Sequence, residues 1–460
     1  MTAGSLRRMA TRFVIIGGGP AGNSAATHAA RLGAEVVLIE SDVIGGAAHL
    51  WDCIPSKAMI ATGSALTYVA HSEDMGLDVG RSEIDIDLLR TRLRGIENKL
   101  ERSITELLTS QSVELVRGRA TLLDAHTVRA DTANGSREFH ADIIVLCTGS
   151  RPRIPVWTAP DGVRVLTTRD AYPPPRIPEH LIVIGSGVTG VEFVHMFKSL
   201  GSEVTLIVSR QQVLPSKDPE VAAALEADFL ARGVRLYKGA RAIAIDVEGD
   251  DVIVRCDDGR SAKGSHALIA IGSMPNYETL NLDALGVATR DGYVVVDHNL
   301  KSTVPNIYAA GDLSGKLPLS SVASMQGRKI AEHAMGVHVR PHRHLDYDKA
   351  ASAIFTEPEI ADVGLAEADA FAIGRKIRVT KVPFSASARA LIDGDARGFV
   401  KLISDPMTGV VLGGSIVGRH AAELISVIAL AVTAGLTVVD LDESLFVHPA
   451  LSEALAEAAQ

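Results

Sequence analysis

Cysteine is scarce: three occur in 460 residues, Cys53, Cys147 and Cys256. Their wide separation supports neither a secreted disulfide framework nor a zinc site, and no metal site is expected. No run of 18 apolar residues appears, which excludes a membrane span. No long basic run appears either, and the net charge is −9. An acidic surface repels nucleic acid, so no such partner is expected. Arg90, Arg92 and Arg94 alternate with apolar residues and read as one solvated helix face. Arg7 and Arg8 precede only a short apolar run that dissolves into Gly17–Gly19. That run reads as a first strand and not a signal peptide, which makes the cytoplasm the expected compartment. Met1–Arg8 has no structural pattern, which leaves Met1 and Met9 open as starts. Aromatic residues make up only 4%. With alanine, valine and glycine abundant, that balance suits parallel sheets covered by helices.

The chain is too long for one compact core, and two to four domains are expected. Two segments look alike. Phe13–Ile16 is a short apolar run followed by Gly17-Gly18-Gly19-Pro20-Ala21-Gly22, an alanine-rich helical stretch and a second apolar run, Val36–Ile39. Leu181–Ile184 is followed in the same way by Gly185-Ser186-Gly187-Val188-Thr189-Gly190, a helical stretch and Val204–Val208. Each is a strand–glycine turn–helix–strand unit, so two nucleotide-binding domains are expected in an α/β chain. Between them, Leu89, Leu93, Ile96, Leu100, Ile104 and Leu107 predict an amphipathic helix over Ile86–Leu108 whose stripe serves packing. Short β segments follow over Val113–Asp142. The proline-rich Pro152–Pro178 marks the crossing into the second domain. From Tyr347 onward, alternating strands and an apolar helix at Ala421–Leu436 predict a separate C-terminal domain.

Glycines let a chain turn tightly and approach a pyrophosphate seated at a helix N-terminus. Gly17, Gly19 and Gly22 have that spacing, and Glu40 ends the following strand. A carboxylate there accepts hydrogen bonds from a free ribose diol, which points to a dinucleotide with an unphosphorylated ribose. The alternative is a tight turn without ligand. Gly185, Gly187 and Gly190 repeat the spacing, but Val208 ends their second strand without an acid, and Ser209-Arg210 follow. A carboxylate would repel a 2′-phosphate, whereas an arginine would pair with it. This favours NADPH, or tolerance of it beside NADH; the alternative is a solvated Arg210.

The segment Gly45-Gly46-Ala47-Ala48-His49-Leu50-Trp51-Asp52-Cys53-Ile54-Pro55-Ser56-Lys57 resembles the redox-active segment of the flavoprotein pyridine nucleotide–disulfide reductases, the family of dihydrolipoamide dehydrogenase and glutathione reductase. That family has Gly-Gly-x-Cys-x-x-x-x-Cys-x-Pro-Ser-Lys. Here Ala48 holds the first cysteine position, and Cys53 keeps the second. The resemblance continues in Cys147-Thr148-Gly149-Ser150, in Ala309-Ala310-Gly311-Asp312, in Phe355-Thr356-Glu357-Pro358-Glu359 and in His448-Pro449-Ala450-Leu451-Ser452-Glu453. It implies two Rossmann-like domains, FAD in the first and NADPH or NADH in the second, and an α+β dimerisation domain in a homodimer. The implied boundaries are 1–155 for FAD, 156–274 for NAD(P), 275–343 for a central domain completing the FAD site, and 344–460 for dimerisation. The implied FAD contacts are Gly17, Gly19, Pro20, Ala21, Gly22, Glu40, Ser41, Gly46, Lys57, Thr148, Gly149, Ser150, Gly311 and Asp312. Those for NAD(P) are Gly185, Gly187, Val188, Gly190, Glu192, Ser209, Arg210 and Gly272.

Lys57 and Glu192 resemble the family's ion pair beside the flavin N5, where a cation stabilises negative charge on a reduced ring. Read alone, each is an ordinary surface charge. His448 and Glu453 resemble its acid–base pair, which protonates a leaving thiolate. With Ala48 in place that task has vanished, which leaves protonation of another acceptor or a retained interface hydrogen bond. Cys53 has three readings: an inert buried thiol, a thiolate donating charge to the flavin, or a sulfenate carrier. The first two are favoured, because sulfenate enzymes lack this Cys-Ile-Pro-Ser-Lys context. Cys147 and Cys256 sit in apolar runs and read as core. The resemblance therefore implies an NAD(P)H:quinone oxidoreductase without disulfide reductase activity. The alternatives are a soluble pyridine nucleotide transhydrogenase, of which Trp51 is reminiscent, and a non-catalytic FAD-bound dimer that senses NADPH.

Overall fold

A computed structural model describes residues 10–80, 82–337 and 344–460. Both candidate starts, Met1 and Met9, lie outside the described residues, as does the 338–343 end of the expected central domain. The chain forms two compact units.

The first unit comprises Met1–Pro55, Thr91–Arg151 and Ser273–Tyr347. Its centre is a parallel sheet in the order Ile307–Ala309, Ile143–Leu146, Arg12–Ile16, Glu35–Glu40, Glu114–Arg117. Successive residues of a strand face opposite sides, and both sides here are covered, which is why the strands are apolar throughout. Phe13, Ile15, Val36 and Leu38 pack with Ala25 and Ala29 of the helix Pro20–Arg31 and Ile330 of the helix Ser320–Ala334. Val14, Ile16, Val37 and Ile39 pack instead with Leu122, Val128 and Phe139. Those three come from an antiparallel sheet of Arg119–Asp124, Thr127–Thr132 and Gly135–His140.

The second unit comprises Ser56–Arg90, Pro152–Gly272 and Asp348–Gln460. It repeats the parallel sheet, in the order Arg235–Lys238, Glu203–Val208, His180–Ile184, His266–Ile269, Val165–Thr167. The register repeats too. Ile16 lies opposite Ile39 in the first unit and Ile184 opposite Ile207 in the second, so Val208 occupies the position that Glu40 holds. The C-terminal part of this unit is a five-stranded antiparallel sheet. Its order is Ser352–Ile354, Ile360–Gly364, Val411–Val417, Phe399–Ser404, Arg378–Pro383. The helix Ala421–Ala434 covers it through Ile425, Ile428 and Ala431.

The expected α/β architecture, with two Rossmann-like units and an α+β C-terminal part, is therefore present. The amphipathic helix runs Ile86–Ser110. Leu89 and Leu93 are buried as expected, but near its end Leu108 is buried and Leu107 is 46% exposed. Over several turns the buried stripe moves by one residue, because 3.6 residues per turn is not a whole number.

Candidate functional site

In the first unit the turn Gly17–Gly22 joins the strand Arg12–Ile16 to the helix Pro20–Arg31. Gly17 has φ +104°, and a Cβ there would strike the Cys147 carbonyl. A Cβ on Gly22 would strike the Gly17 carbonyl, so the helix begins this close to the strand only with glycine there. The helix has no side-chain cap, which leaves the N–H groups of its first turn open. Glu40 accepts from the Gly18 N–H at 2.6 Å through Oε2 and from the Asp42 N–H at 2.7 Å through Oε1. Burial raises the Glu40 pKa, against the opposing pull of those two bonds. Ser41 beside it is exposed, and Gly46 approaches the Gly19 backbone closely enough that a Cβ would clash with it.

At the edge of the same sheet the Ser150 hydroxyl donates to Asp312 Oδ2 at 2.5 Å. Asn276 fastens the Thr148–Gly149 backbone. Its N–H donates to the Gly149 carbonyl at 3.0 Å, its Nδ2 donates to that of Thr148 at 3.1 Å, and its own carbonyl accepts from the Thr148 hydroxyl. Buried Gln326 accepts from the Gly311 N–H at 2.7 Å and holds the turn that presents Asp312.

In the second unit Gly185, Gly187 and Gly190 form the matching turn, and the helix Val188–Ser199 starts at Gly187, again without a side-chain cap. Val188 is exposed. Gly272 has φ +100°, and its carbonyl accepts from the Arg153 N–H at 2.9 Å. A cavity of about 280 Å³ opens where three strand ends meet, and Gly185, Ser209 and Arg241 are among its lining residues. Arg210 is exposed and outside that lining; its carbonyl accepts from the Gly239 N–H at 3.0 Å.

Lys57 Nζ lies 2.8 Å from Glu192 Oε2, and the Glu192 side chain is only 8% exposed. Glu192 Oε1 accepts from the Phe355 N–H at 3.0 Å, and Lys57 Nζ lies 4.9 Å from the centre of the Phe355 ring. The carboxylate is thus held from two sides and the ammonium aimed by a third group. Ala48–Cys53 forms a π-helical turn, a geometry frequent at functional sites, directly before the helix Ile54–Ala70 that carries Lys57. Cys53 is exposed, whereas Cys147 and Cys256 are buried. On the same turn His49 is half-buried, which lowers its pKa, and Trp51 is 41% exposed. At the C-terminus His448 Nδ1 lies 2.7 Å from Glu453 Oε1, and Glu453 Oε2 accepts from the Ala450 N–H at 2.9 Å. These two bonds lower the Glu453 pKa. A carboxylate only accepts, so Nδ1 carries a proton and Nε2 is left to exchange one outward.

Residues 11–327 match the family model described as pyridine nucleotide-disulphide oxidoreductase, and residues 350–459 match that family's dimerisation domain. The chain belongs to the class I pyridine nucleotide–disulphide oxidoreductase family. Within that family it is 42% identical to an NAD(P)H dehydrogenase (quinone) of Mycobacterium tuberculosis, over 98% of this chain and 94% of the relative. It is 33% identical to a dihydrolipoyl dehydrogenase of Chlorobaculum tepidum, over 97% and 95%. Among solved structures it matches LpdA of Mycobacterium tuberculosis with a TM-score of 0.93 and 41% identity, over 98% of this chain and 99% of that one.

The chain is accordingly an FAD-dependent oxidoreductase that uses NAD(P)H, and its dimerisation domain supports a homodimer. No helix among the described residues is long and apolar enough to cross a membrane. The first unit fits FAD on its own geometry. Each Glu40 oxygen holds one backbone N–H and keeps a lone pair for a ribose hydroxyl, and the uncapped helix start offers N–H groups to a pyrophosphate. The sequence patterns of the family do not single out Asn276, Gln326 or the Phe355 N–H. Each is a lone polar group whose partner is distant in sequence, and no spacing rule carries such a signal.

Proposed function

We propose that this family member passes electrons from NAD(P)H to a quinone and has no disulfide reductase activity. The observation that carries the reading is the loss of the second redox cysteine. Ala48 stands where the family pattern has the other cysteine. Cys147 is buried, which pushes its thiol up to about 12, and Cys256 is buried as well. The redox segment therefore holds one thiol where disulfide chemistry uses two. The name of the 42% identical relative, an NAD(P)H dehydrogenase (quinone), supports the same reading.

FAD supplies the two-electron relay between nicotinamide and acceptor. The protein's own part is positioning and charge. Glu40, the Gly17–Gly22 turn, the Thr148–Ser150 segment and Asp312 hold FAD, with Ser41 and Gly46 at its edges. The Gly185–Gly190 turn, Val188, Ser209 and Gly272 border the NAD(P)H site. Lys57, anchored by Glu192, would supply positive charge to stabilise electron density on the reduced ring, as the family's ion pair does. His448, oriented by Glu453, supplies a proton to a quinone oxygen, since a quinone takes up protons as well as electrons on becoming a quinol. The four domains run 1–155, 156–274, 275–343 and 344–460, and the enzyme works in the cytoplasm.

Steady-state turnover with NADPH tests the reading. A benzoquinone, oxidised lipoamide and thio-NAD⁺ are offered in turn to the FAD-loaded enzyme. Quinone turnover well above the other two is expected. Lipoamide turnover at a comparable rate would refute it. Faster transfer to thio-NAD⁺ would make the protein a transhydrogenase, and a flavin left yellow by anaerobic NADPH would make it a scaffold.

A further inference from the structure

Arg210 and Arg241 both lie beside the C-terminal end of the strand Glu203–Val208, and they are not equivalent. Arg210 follows Ser209 directly in sequence, yet it is outside the cavity lining. Arg241 comes from a different strand connection. The Ala240 N–H donates to the Val208 carbonyl at 3.2 Å, which places Arg241 beside the end of the strand Glu203–Val208. Ser209 and Arg241 therefore face one cavity together with Gly185, the first glycine of the turn. Trp157, Ile207 and Ile271 give that cavity apolar walls suited to a purine.

At the position where Glu40 takes two backbone N–H groups, the second unit has Val208, fully buried and without charge. Val208 itself puts no negative charge against a phosphate at that position. The Arg241 backbone is pinned on both sides, its N–H donating to Asp257 Oδ1 at 2.9 Å and its carbonyl accepting from the Asp257 N–H at 2.9 Å. A guanidinium presents a rigid fork that matches phosphate oxygens, and a serine hydroxyl adds a short donor.

We infer that Arg241, with Ser209 beside it, reads the 2′-phosphate of NADPH and that Arg210 does not. This rests on the NAD(P)H-binding role proposed above for the unit and adds the residue that sets its choice of nucleotide. Ligands that carry the adenosine half alone separate binding from turnover. The FAD-loaded enzyme is titrated by calorimetry with 2′,5′-ADP and with 5′-AMP. The native protein should bind 2′,5′-ADP roughly 10- to 100-fold more tightly, the range expected for a charge-assisted contact. Arg241→Ala should abolish that preference and leave 5′-AMP affinity unchanged. Arg241→Lys should restore part of it, because a point charge replaces the fork. Arg210→Ala should leave the ratio as it is. A native enzyme without the preference, an Arg241→Ala enzyme that retains it, or equal weakening of both ligands would each overturn the inference. Quinone turnover on the same preparations keeps the two readings apart. No quinone turnover with an intact 2′,5′-ADP preference sinks the quinone reading alone. Quinone turnover without the preference sinks the role of Arg241 alone.

Discussion

His195 is fully buried on the helix Val188–Ser199, with Arg232 Nη1 3.0 Å from its Nδ1. A guanidinium only donates, so Nδ1 accepts and Nε2 carries the proton. Burial, then Arg232 and Arg397, push the pKa down to about 3. The unfolded chain binds a proton at this histidine near pH 6.5 and the folded one only near 3. Stability is therefore full above pH 6.5 and is lost as the pH falls through that window, at up to about 1.4 kcal/mol per pH unit. Denaturant unfolding of the holoenzyme at pH 7.5 and 5.0 checks this. The native protein should lose more stability between the two than His195→Asn, which keeps an acceptor near Nδ1 but has nothing to protonate. Equal losses would show that the ring is not the source.

At this scale legibility divides sharply. Gly17, Gly22, Gly185 and Gly190 are legible because backbone geometry admits nothing else there, so their spacing is itself the signal. Lys57 and Glu192 are legible only through the family motif, and the structure joins them at 2.8 Å although 135 positions separate them. Arg241 carries no such signal, because it lies in the connection between the strands Arg235–Lys238 and Ala242–Glu248, some thirty positions from Ser209.

Elements follow from apolar period and turn chemistry, and the strands flanking both glycine turns lie within a residue of where the sequence places them. Tertiary packing was less visible. The helices Pro20–Arg31 and Ser320–Ala334 come together at Gly327, where a Cβ would run into the Ala21 carbonyl. Nothing around Gly327 in the sequence marks it, because a glycine inside a helical pattern reads only as a weak helix former. Ala21 belongs to the turn proposed above to hold FAD, so the close approach should matter for the cofactor as well as for stability. Gly327→Val should cost on the order of 1–3 kcal/mol through overpacking, with a lower Tm and weaker FAD retention after gel filtration. An unchanged Tm with full FAD content would show that the two helices separate freely. The π-helical turn Ala48–Cys53 was also beyond the sequence, since no propensity distinguishes it from the α-helix that follows.

For the whole molecule, the repeated strand–turn–helix–strand unit and the separate C-terminal texture were sufficient to read the architecture, and the family match then spans most of the chain. What the fold alone leaves open is the route of the electrons. The family's disulfide chemistry needs two thiols in the segment that ends at Lys57, and this chain has one. In the function proposed above, electrons therefore leave by way of the flavin itself. Anaerobic double-mixing with Cys53→Ser tests that most directly: NADPH is mixed first and its bleaching of the flavin followed, then a benzoquinone is added and the return of the yellow colour timed. Both phases are expected at close to native rates. Rapid bleaching followed by loss of the quinone-driven return would contradict the account and make the Cys53 thiol an electron carrier.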